Sequence, residues 1–141
     1  MLSHWLLIIA AAAPDGANAD IRPLLRSQGF EWTLEKADSR IEYVGDIGQG
    51  RRTYNIYLYN GVNRENSHGI NFLVVILNRT TYLGVYDSLS AQDCRVERQM
   101  VVCKTEFPGR KIRFTKNGPP FKAWIDGAVV PFELAPKFRA N

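Results

Sequence analysis

Residues 70–86, INFLVVILNRTTYLGVY, are the longest nearly uncharged stretch after the N-terminal segment, and Arg79 carries their single charge. β-Branched and aromatic residues dominate both halves, and such side chains crowd a helix but fit the pleated surface of a sheet. The pattern therefore predicts a central hairpin with Asn78 and Arg79 at its tip. Asn tolerates positive φ, but Arg does so poorly and no Gly follows, so a tip longer than two residues is favoured.

The first strand of this hairpin is apolar on both faces. One face carries Phe72, Val74 and Ile76, and the other carries Leu73, Val75 and Leu77. A strand of this kind is covered on both sides, by packed sheets, a helix or another subunit. In the second strand, Gly84 predicts a bulge or a tight bend.

The segments on either side of the hairpin predict one helical turn, two loops and several short strands. Residues 23–26 form one predicted helical turn that starts with Pro23 and ends at Gly29. The glycines of residues 45–50 predict a loop, and the polar segment 62–69 is the longest loop candidate and the favoured place for a functional rim. Further strands are predicted at 30–34, where a helix through 34–37 competes, and at 41–43, 52–59, 111–116, 121–125 and 128–132.

Eight to ten short strands with regularly spaced turns and no long helix predict a single all-β domain. The expected architecture is a small antiparallel meander, closed into a barrel or packed as a sandwich. The barrel is preferred because sequential antiparallel neighbours are the simplest topology. Pro131 lacks a ladder donor, which predicts that the last strand lies at an edge or ends there, and the basic tail from Ala135 is expected to fray.

The N-terminal segment has the pattern of an export signal. An apolar run in residues 5–13 precedes Pro14 and Gly16, and Ala17-Asn18-Ala19 provides small residues for cleavage after Ala19. The mature chain then runs from Asp20 to Asn141 in the periplasm or outside the cell, and no later apolar run approaches the length of a membrane span. An N-terminal membrane anchor is the alternative.

The two cysteines, Cys94 and Cys103, are predicted to form a disulfide. An exported chain with an isolated pair of cysteines usually bridges them. A hairpin with Arg98 and Gln99 at its tip places Cys94 opposite Cys103, at the separation that a disulfide needs.

Positive charge is concentrated in the C-terminal third. The whole chain has 18 Lys and Arg against 14 Asp and Glu, and residues 91–141 hold ten of the basic but only five of the acidic residues. We predict a basic face that meets an acidic protein or an anionic envelope polymer, and the alternative is a solvated surface that aids solubility. The basic face comprises Arg95, Arg98, Lys104, Arg110, Lys111, Arg113 and Lys116.

A second candidate binding surface combines aromatic and basic residues. Arg52, Tyr57, Tyr59 and Arg64, with Arg51 beside them, are predicted to form an outward aromatic stripe that stacks bases or sugars. Export argues against a nucleic acid partner, and Tyr is also common at outward strand positions because of its β-propensity.

Nucleophiles, bases and metal ligands are scarce, so the sequence favours a binding function over catalysis. His68 is the single histidine after residue 19, and the bridged cysteines leave no Cys/His pair and no expected metal or other cofactor. No nucleophile-elbow motif surrounds Ser67, Ser88 or Ser90. A carrier of a small apolar ligand inside the barrel is the alternative to the basic face, and an envelope-polymer hydrolase using Asp87, Asp93 or Glu97 is less favoured.

The layout of an export signal, a small antiparallel barrel and one hairpin disulfide is similar to that of bacterial periplasmic inhibitors of lysozyme. The likeness is one of architecture, and architecture alone does not establish function.

Overall fold

The computed structural model describes residues 20–30, 39–62, 69–87, 93–104, 111–125 and 128–139. These residues contain one α-helix, α1, nine strands and one 3₁₀ turn. The helix spans Arg22–Ser27, and the 3₁₀ turn spans Pro136–Phe138. The strands are β1 Ser39–Gln49, β2 Arg52–Val62, β3 Gly69–Leu77, β4 Thr81–Tyr86, β5 Asp93–Glu97, β6 Met100–Lys104, β7 Lys111–Arg113, β8 Lys122–Ile125 and β9 Ala128–Leu134.

The strands form two antiparallel sheets. The large sheet has six strands in the order β1-β2-β3-β4-β9-β8, and the small sheet has three in the order β5-β6-β7. Strand β5 lies against β1 and β7 lies against β8, so the small sheet extends between the two edge strands of the large one. No ladder joins the sheets in the described residues. The predicted all-β meander is confirmed as a sandwich, and the preference for a closed barrel is wrong.

Strand β3 is covered on both faces, as its sequence predicts. Leu73 and Val75 belong to a cluster between the two sheets, where they join Val101 of β6 and Ile112 of β7. On the opposite face of β3, a second cluster holds Phe72, Val74 and Ile76 together with Leu25 of α1 and Phe30. The molecule therefore has three layers, with the large sheet in the middle.

The tip of the central hairpin has three residues. Leu77 pairs with Thr81, and both Asn78 (φ 49°) and Arg79 (φ 62°) adopt left-handed backbone conformations. The side chain of Asn78 supports this geometry, because its Oδ1 accepts a 2.8 Å hydrogen bond from the Thr53 backbone N–H. The predicted position of the tip and its predicted extra length are both confirmed.

Gly84 lies at a bulge between β3 and β4. Val75 pairs with Gly84 while Ile76 pairs with Tyr82, which leaves Leu83 as the extra residue. On its other side β4 approaches β9 closely: a Cβ at Gly84 would lie 2.9 Å from Cζ of Phe132 and would collide with the carbonyl oxygen of Glu133. Only glycine permits this approach, so the predicted bulge is confirmed, and the close approach of β9 explains why glycine is needed there.

The N-terminal helix also follows its prediction. Pro23 lies in its first turn, and Gly29 after it has φ +89°. The ring of Phe30 then packs 5.5 Å from the ring of Tyr59 and 5.8 Å from that of Tyr82, measured between centroids. Residues 31–38, which hold most of the next predicted strand, lie outside the described residues.

The loop predicted at residues 45–50 is wrong, and so is the fraying expected at the start of the C-terminal tail. The glycines at 45–50 do not end β1, which continues to Gln49 and turns only at Gly50-Arg51. Gly45 instead follows a register shift after Tyr43. The tail after β9 does not fray at its start, because Ala135 is buried and its N–H donates a 2.7 Å hydrogen bond to the carbonyl oxygen of Leu83.

Strand β9 is an interior strand, contrary to the prediction from Pro131. Its first part pairs with β8 and its last three residues pair with β4. The N–H of Phe132 donates to the carbonyl oxygen of Phe121 on the β8 side, so the nitrogen of Pro131 is directed to the other side. On that side β4 ends at Tyr86, which pairs with Phe132, so no strand lies opposite Pro131 that would require its missing N–H.

Within the described residues, no helix combines the length and the apolar character that crossing a bilayer requires.

Candidate functional site

The disulfide joins the first two strands of the small sheet. Cys94 and Cys103 are directly opposed in the β5–β6 ladder and are bonded with an S–S distance of 2.09 Å. Cys103 belongs to the cluster between the sheets. This bridge confirms the predicted pairing and register, and it fastens a hairpin whose outer face is exposed.

The register of the small sheet brings part of the basic face together. Val96, Val101 and Ile112 are paired in a row on the inner side. The neighbouring rows therefore lie on the outer side. One outer row is Arg95, Val102 and Lys111, the next is Glu97, Met100 and Arg113, and Lys104 pairs with Asp93 at the far end.

Carboxylates interrupt this basic face. Both Nε and Nη2 of Arg95 lie 2.7 Å from Oε1 of Glu97, so that positive charge is compensated locally. Four cations of the basic face are exposed and make no ion pair within the described part of the chain: Arg98, Lys111, Arg113 and Lys116. Arg110 lies outside the described residues, and the structure describes only the backbone of Lys104.

The predicted aromatic stripe is wrong. Tyr57 and Tyr59 are 3% and 1% exposed, because α1 and Phe30 cover the face of the large sheet on which they lie. The ring of Tyr57 packs 5.5 Å from that of Tyr43. Arg52 lies on the opposite face of β2, and Arg64 is outside the described residues.

A buried polar network supports the hairpin tip. Asn55 is fully buried, its Nδ2 donates to Oδ1 of Asp46 at 3.0 Å, and its Oδ1 accepts from the N–H of Arg79 at 2.7 Å. Burial and a hydrogen bond to Asp46 raise the pKa of Tyr43, and burial together with the negative charge of Asp46 raises that of Tyr57. A cavity of about 180 Å³ lies beside Thr53, Asn55, Asn78 and Arg79. Because the side-chain oxygens of Asn55 and Asn78 accept hydrogen bonds from the backbone N–H groups of Arg79 and Thr53, we assign the network a structural role.

The larger cavity, about 560 Å³, is a groove at the end of the sheets where β2 begins and β3 and β9 end. We call it the end groove. Its apolar lining includes Leu77, Leu83 and Leu134 from three neighbouring strands together with Phe121 and Phe138. The lining residues with polar groups are Arg52, Tyr54, Thr115 and Asn117. The end groove is at the opposite end of β2 from the segment 62–69, where a functional rim was predicted.

Phe121 is exposed although its backbone is held in place. Its side chain is 76% exposed, while its carbonyl oxygen accepts a 2.7 Å hydrogen bond from the N–H of Phe132. The preceding carbonyl, that of Pro120, accepts a 2.5 Å hydrogen bond from the hydroxyl of Tyr86. Phe138, on the other side, is 42% exposed. Large apolar side chains held at a concave surface are typical of binding sites.

Two polar groups from β2 reach the end groove. Arg52 and Tyr54 are two positions apart and share a face of the strand. Arg52 is exposed and has no ion pair with the described residues. The hydroxyl of Tyr54 lies beside Gly118, where a Cβ would be only 2.7 Å away, and it makes no hydrogen bond to a described residue. The described lining includes no Asp or Glu.

Sequence reasoning missed the end groove because it assigned Phe121 to a regular strand. Strand β8 begins at Lys122, and Phe121 lies in the bend before it. The signal was Pro119-Pro120, since neither proline has an N–H to donate to a ladder, which makes a regular strand up to Phe121 unfavourable.

The candidate catalytic groups are not assembled in the described structure. His68, Ser67, Ser88 and Ser90 lie outside the described residues. Asp93 and Glu97 belong to the outer side of β5, and Glu97 is paired with Arg95. The described part of the chain contains no group of three or more His, Cys, Asp or Glu side chains placed to hold a metal ion.

Comparison with known proteins gives no relative: no family model, no curated protein and no solved structure matches the chain.

Proposed function

We propose that this chain is an exported binding protein that holds a small apolar molecule in the end groove. The carrier hypothesis drawn from the sequence placed such a ligand inside a barrel. The cluster between the two sheets fills that interior, so we place the ligand site at the open end of the sheets instead. The observation that carries the proposal is the apolar lining of a cavity of about 560 Å³ beside two exposed phenylalanines.

Size and lining both favour a small ligand. Ligand pockets usually enclose about 300–1,000 Å³ and are lined mainly by apolar side chains with a few polar groups. The end groove matches this description, with leucine, phenylalanine and proline side chains around Arg52, Thr115 and Asn117. Because the carbonyl oxygens of Pro120 and Phe121 both accept hydrogen bonds, the backbone of the bend before β8 is held in place and little ordering is needed when a ligand binds.

The proposal of export has separate support. The predicted signal in residues 1–19 lies outside the described residues, while the Cys94–Cys103 disulfide is compatible with an oxidising compartment. Edman sequencing of the protein recovered from its native compartment should begin at Asp20. A retained N-terminus would contradict cleavage after Ala19.

Calorimetric titration with decanol tests the binding proposal. We expect saturable binding that the double variant Phe121→Ala/Phe138→Ala weakens at least about fivefold, because it removes the two exposed rings beside the cavity. Val129→Ala is the matched control, since Val129 is a 52% exposed apolar residue that does not line the end groove. No saturable binding, or equal losses in both variants, would contradict the proposal.

The basic face supports a second candidate function, binding to an acidic protein or an anionic envelope polymer. Its support is the group of exposed cations Arg98, Lys111, Arg113 and Lys116, which have no ion pair in the described structure. Binding to immobilised polyglutamate should weaken as salt rises and after Lys111→Glu/Arg113→Glu. The matched charge change Arg26→Glu/Lys122→Glu, at exposed residues of α1 and β8, should weaken it less. Equal losses would indicate a response to net charge alone.

A further inference from the structure

We propose that the ligand of the end groove is an amphipathic carboxylate, with its acid group held by Arg52 and its apolar chain lying between Phe121 and Phe138. This inference rests on the proposed function and names the chemical class of the ligand. It is carried by the juxtaposition of an unpaired guanidinium with an apolar cavity whose described lining has no acidic side chain.

Arg52 is placed to act as the anion receptor. It is the first residue of β2, at the rim of the end groove, and it is exposed without an ion pair to any residue described. A guanidinium presents its donors in a planar fork that matches the two oxygens of a carboxylate. A ligand anion is therefore the partner that this side chain lacks.

Tyr54 provides a second donor on the same face of β2. Its ring packs 5.5 Å from that of Phe114, and the residue is 2% exposed, so its position is fixed by the core. Tyr54 is part of the lining of the end groove, and its hydroxyl, which lies beside Gly118, makes no hydrogen bond to a described residue. Residues two apart in a strand are about 7 Å apart, so the two long side chains can converge on one acid group.

The charges around the end groove also favour an anion. Lys116 is exposed between Thr115 and Asn117, both of which line the cavity. On the other side, Nζ of Lys137 lies 5.0 Å from the centroid of the Phe138 ring. These two lysines outweigh Glu133, the exposed acidic residue between Phe132 and Leu134 of the lining, so the potential at the opening favours an anionic ligand over a cationic one.

A carboxylate fits this donor set better than a phosphate. One guanidinium and one hydroxyl satisfy the two oxygens of a singly charged acid, whereas a phosphate brings about two charges and three acceptor oxygens. The lining supplies one cation, Arg52, among the described residues. The stoichiometry of donors and charge therefore favours the monoanion.

The test compares three ligands with one apolar chain on the purified full-length chain. Isothermal titration calorimetry would measure the Kd of decanoate, decanol and decyltrimethylammonium at neutral pH and low salt. We expect decanoate to bind about five- to tenfold more tightly than decanol and the ammonium compound to bind more weakly than either. Raising the salt concentration should reduce the preference for decanoate.

Variants then locate the acid group. Arg52→Gln should lower the ratio of the decanol Kd to the decanoate Kd towards one, and Tyr54→Phe should act in the same direction with a smaller effect. Arg51→Gln is the matched control, because Arg51 is the adjacent exposed arginine and does not line the end groove. The ligand comparison on the unaltered chain does not depend on any variant.

The outcomes separate this inference from the proposed function. Equal affinities for decanoate and decanol, or equal effects of the Arg51 and Arg52 variants, would overturn the carboxylate assignment and leave apolar binding in place. If neither ligand binds, both proposals fail.

Discussion

The hydroxyl of Tyr86 donates a 2.5 Å hydrogen bond to the carbonyl oxygen of Pro120, which is 34 residues further along the chain. The ring of Tyr86 is fully buried in the cluster between the sheets and packs 4.8 Å from the ring of Phe132. This bond therefore ties the centre of the large sheet to the bend that carries the exposed Phe121.

Tyr86→Phe should weaken ligand binding in the end groove without altering its lining. The change keeps the buried ring but removes the bond to Pro120, so the bend before β8 loses one of its two attachments. We expect a loss of about 1 kcal/mol in the free energy of unfolding and a measurable rise in the Kd of decanol. Urea unfolding and calorimetry would measure the two effects, and unchanged values in both would show that the bond has no role in holding the bend.

Stability should fall at alkaline pH because folding opposes the ionisation of tyrosine. Burial raises the pKa of Tyr86, and burial is also the largest cause of the raised pKa values of Tyr43 and Tyr57, from an ordinary value of 10.0. Above that pH the unfolded chain loses tyrosine protons that the folded chain retains, so the contribution of these tyrosines to the free energy of unfolding is constant below it and decreases above it.

The decrease can be assigned with one variant. Tyr86 alone contributes a slope of at most about 1.4 kcal/mol per pH unit, and this contribution should be absent in Tyr86→Phe. Chemical unfolding at a series of pH values, with absorbance at the tyrosinate band, would measure the slope. A free energy of unfolding that stays constant well above pH 10 would show that these tyrosines ionise equally in both states.

Gly84→Ala should destabilise the chain strongly. A Cβ at this position would collide with the backbone of Glu133 and lie 2.9 Å from Cζ of Phe132, so β4 and β9 would have to separate. We expect a loss of at least about 2 kcal/mol in the free energy of unfolding. Gly48→Ala is the control, because no atom lies within 4 Å of its Cβ position, and it should change stability by less than about 0.5 kcal/mol. Similar losses in the two variants would argue against close packing as the cause.

Asn55→Leu should weaken the tip of the central hairpin. The substitution keeps much of the side-chain volume but removes the acceptor for the N–H of Arg79 and the donor to Asp46. The left-handed conformation of Arg79 would then have lost its support, and we expect a cost of about 2 kcal/mol. Hydrogen exchange should increase first at Arg79 and Thr80. Uniform exchange changes across both sheets would contradict a local role for Asn55.

Replacing the disulfide should lower stability without changing the fold. Cys94 and Cys103 are nine residues apart in sequence, and in the chain-entropy model a loop of this length is worth about 2.5 kcal/mol. The variant Cys94→Ala/Cys103→Ala should therefore unfold at lower urea concentration. Dithiothreitol should produce a similar shift in the unaltered protein and none in the variant; a reductant effect on the variant would point to a cause other than the bridge.

The hairpins were predictable because their signals are local. Asn78 and Arg79 lie at the tip of one hairpin and Arg98 and Gln99 at the tip of another, where turn residues and alternating side chains fix the register within a few positions. The pairing of Cys94 with Cys103 follows from that register alone. Gly84 was recognisable as a bulge, but the reason for it, the approach of Glu133, comes from a distant segment.

The exposure of the aromatic residues was not predictable in the same way. Tyr57 and Tyr59 alternate along β2 with apolar residues, so the sequence pattern predicts that they face solvent. A helix more than twenty residues earlier covers them instead. Phe121 looks like part of a strand, yet the strand starts one residue later and leaves its ring in solvent.

The sequence by itself determined the β class, the central hairpin with a tip longer than two residues and the sulfur bridge, since each depends on the backbone preferences of neighbouring residues. Tertiary structure alone decided which face of the large sheet α1 covers, how the small sheet closes the core and where Arg52, Tyr54 and Phe121 meet. Burial depends on atoms brought in from remote parts of the chain. Period-two alternation shows which residues of a strand share a face, but it does not show which face is covered.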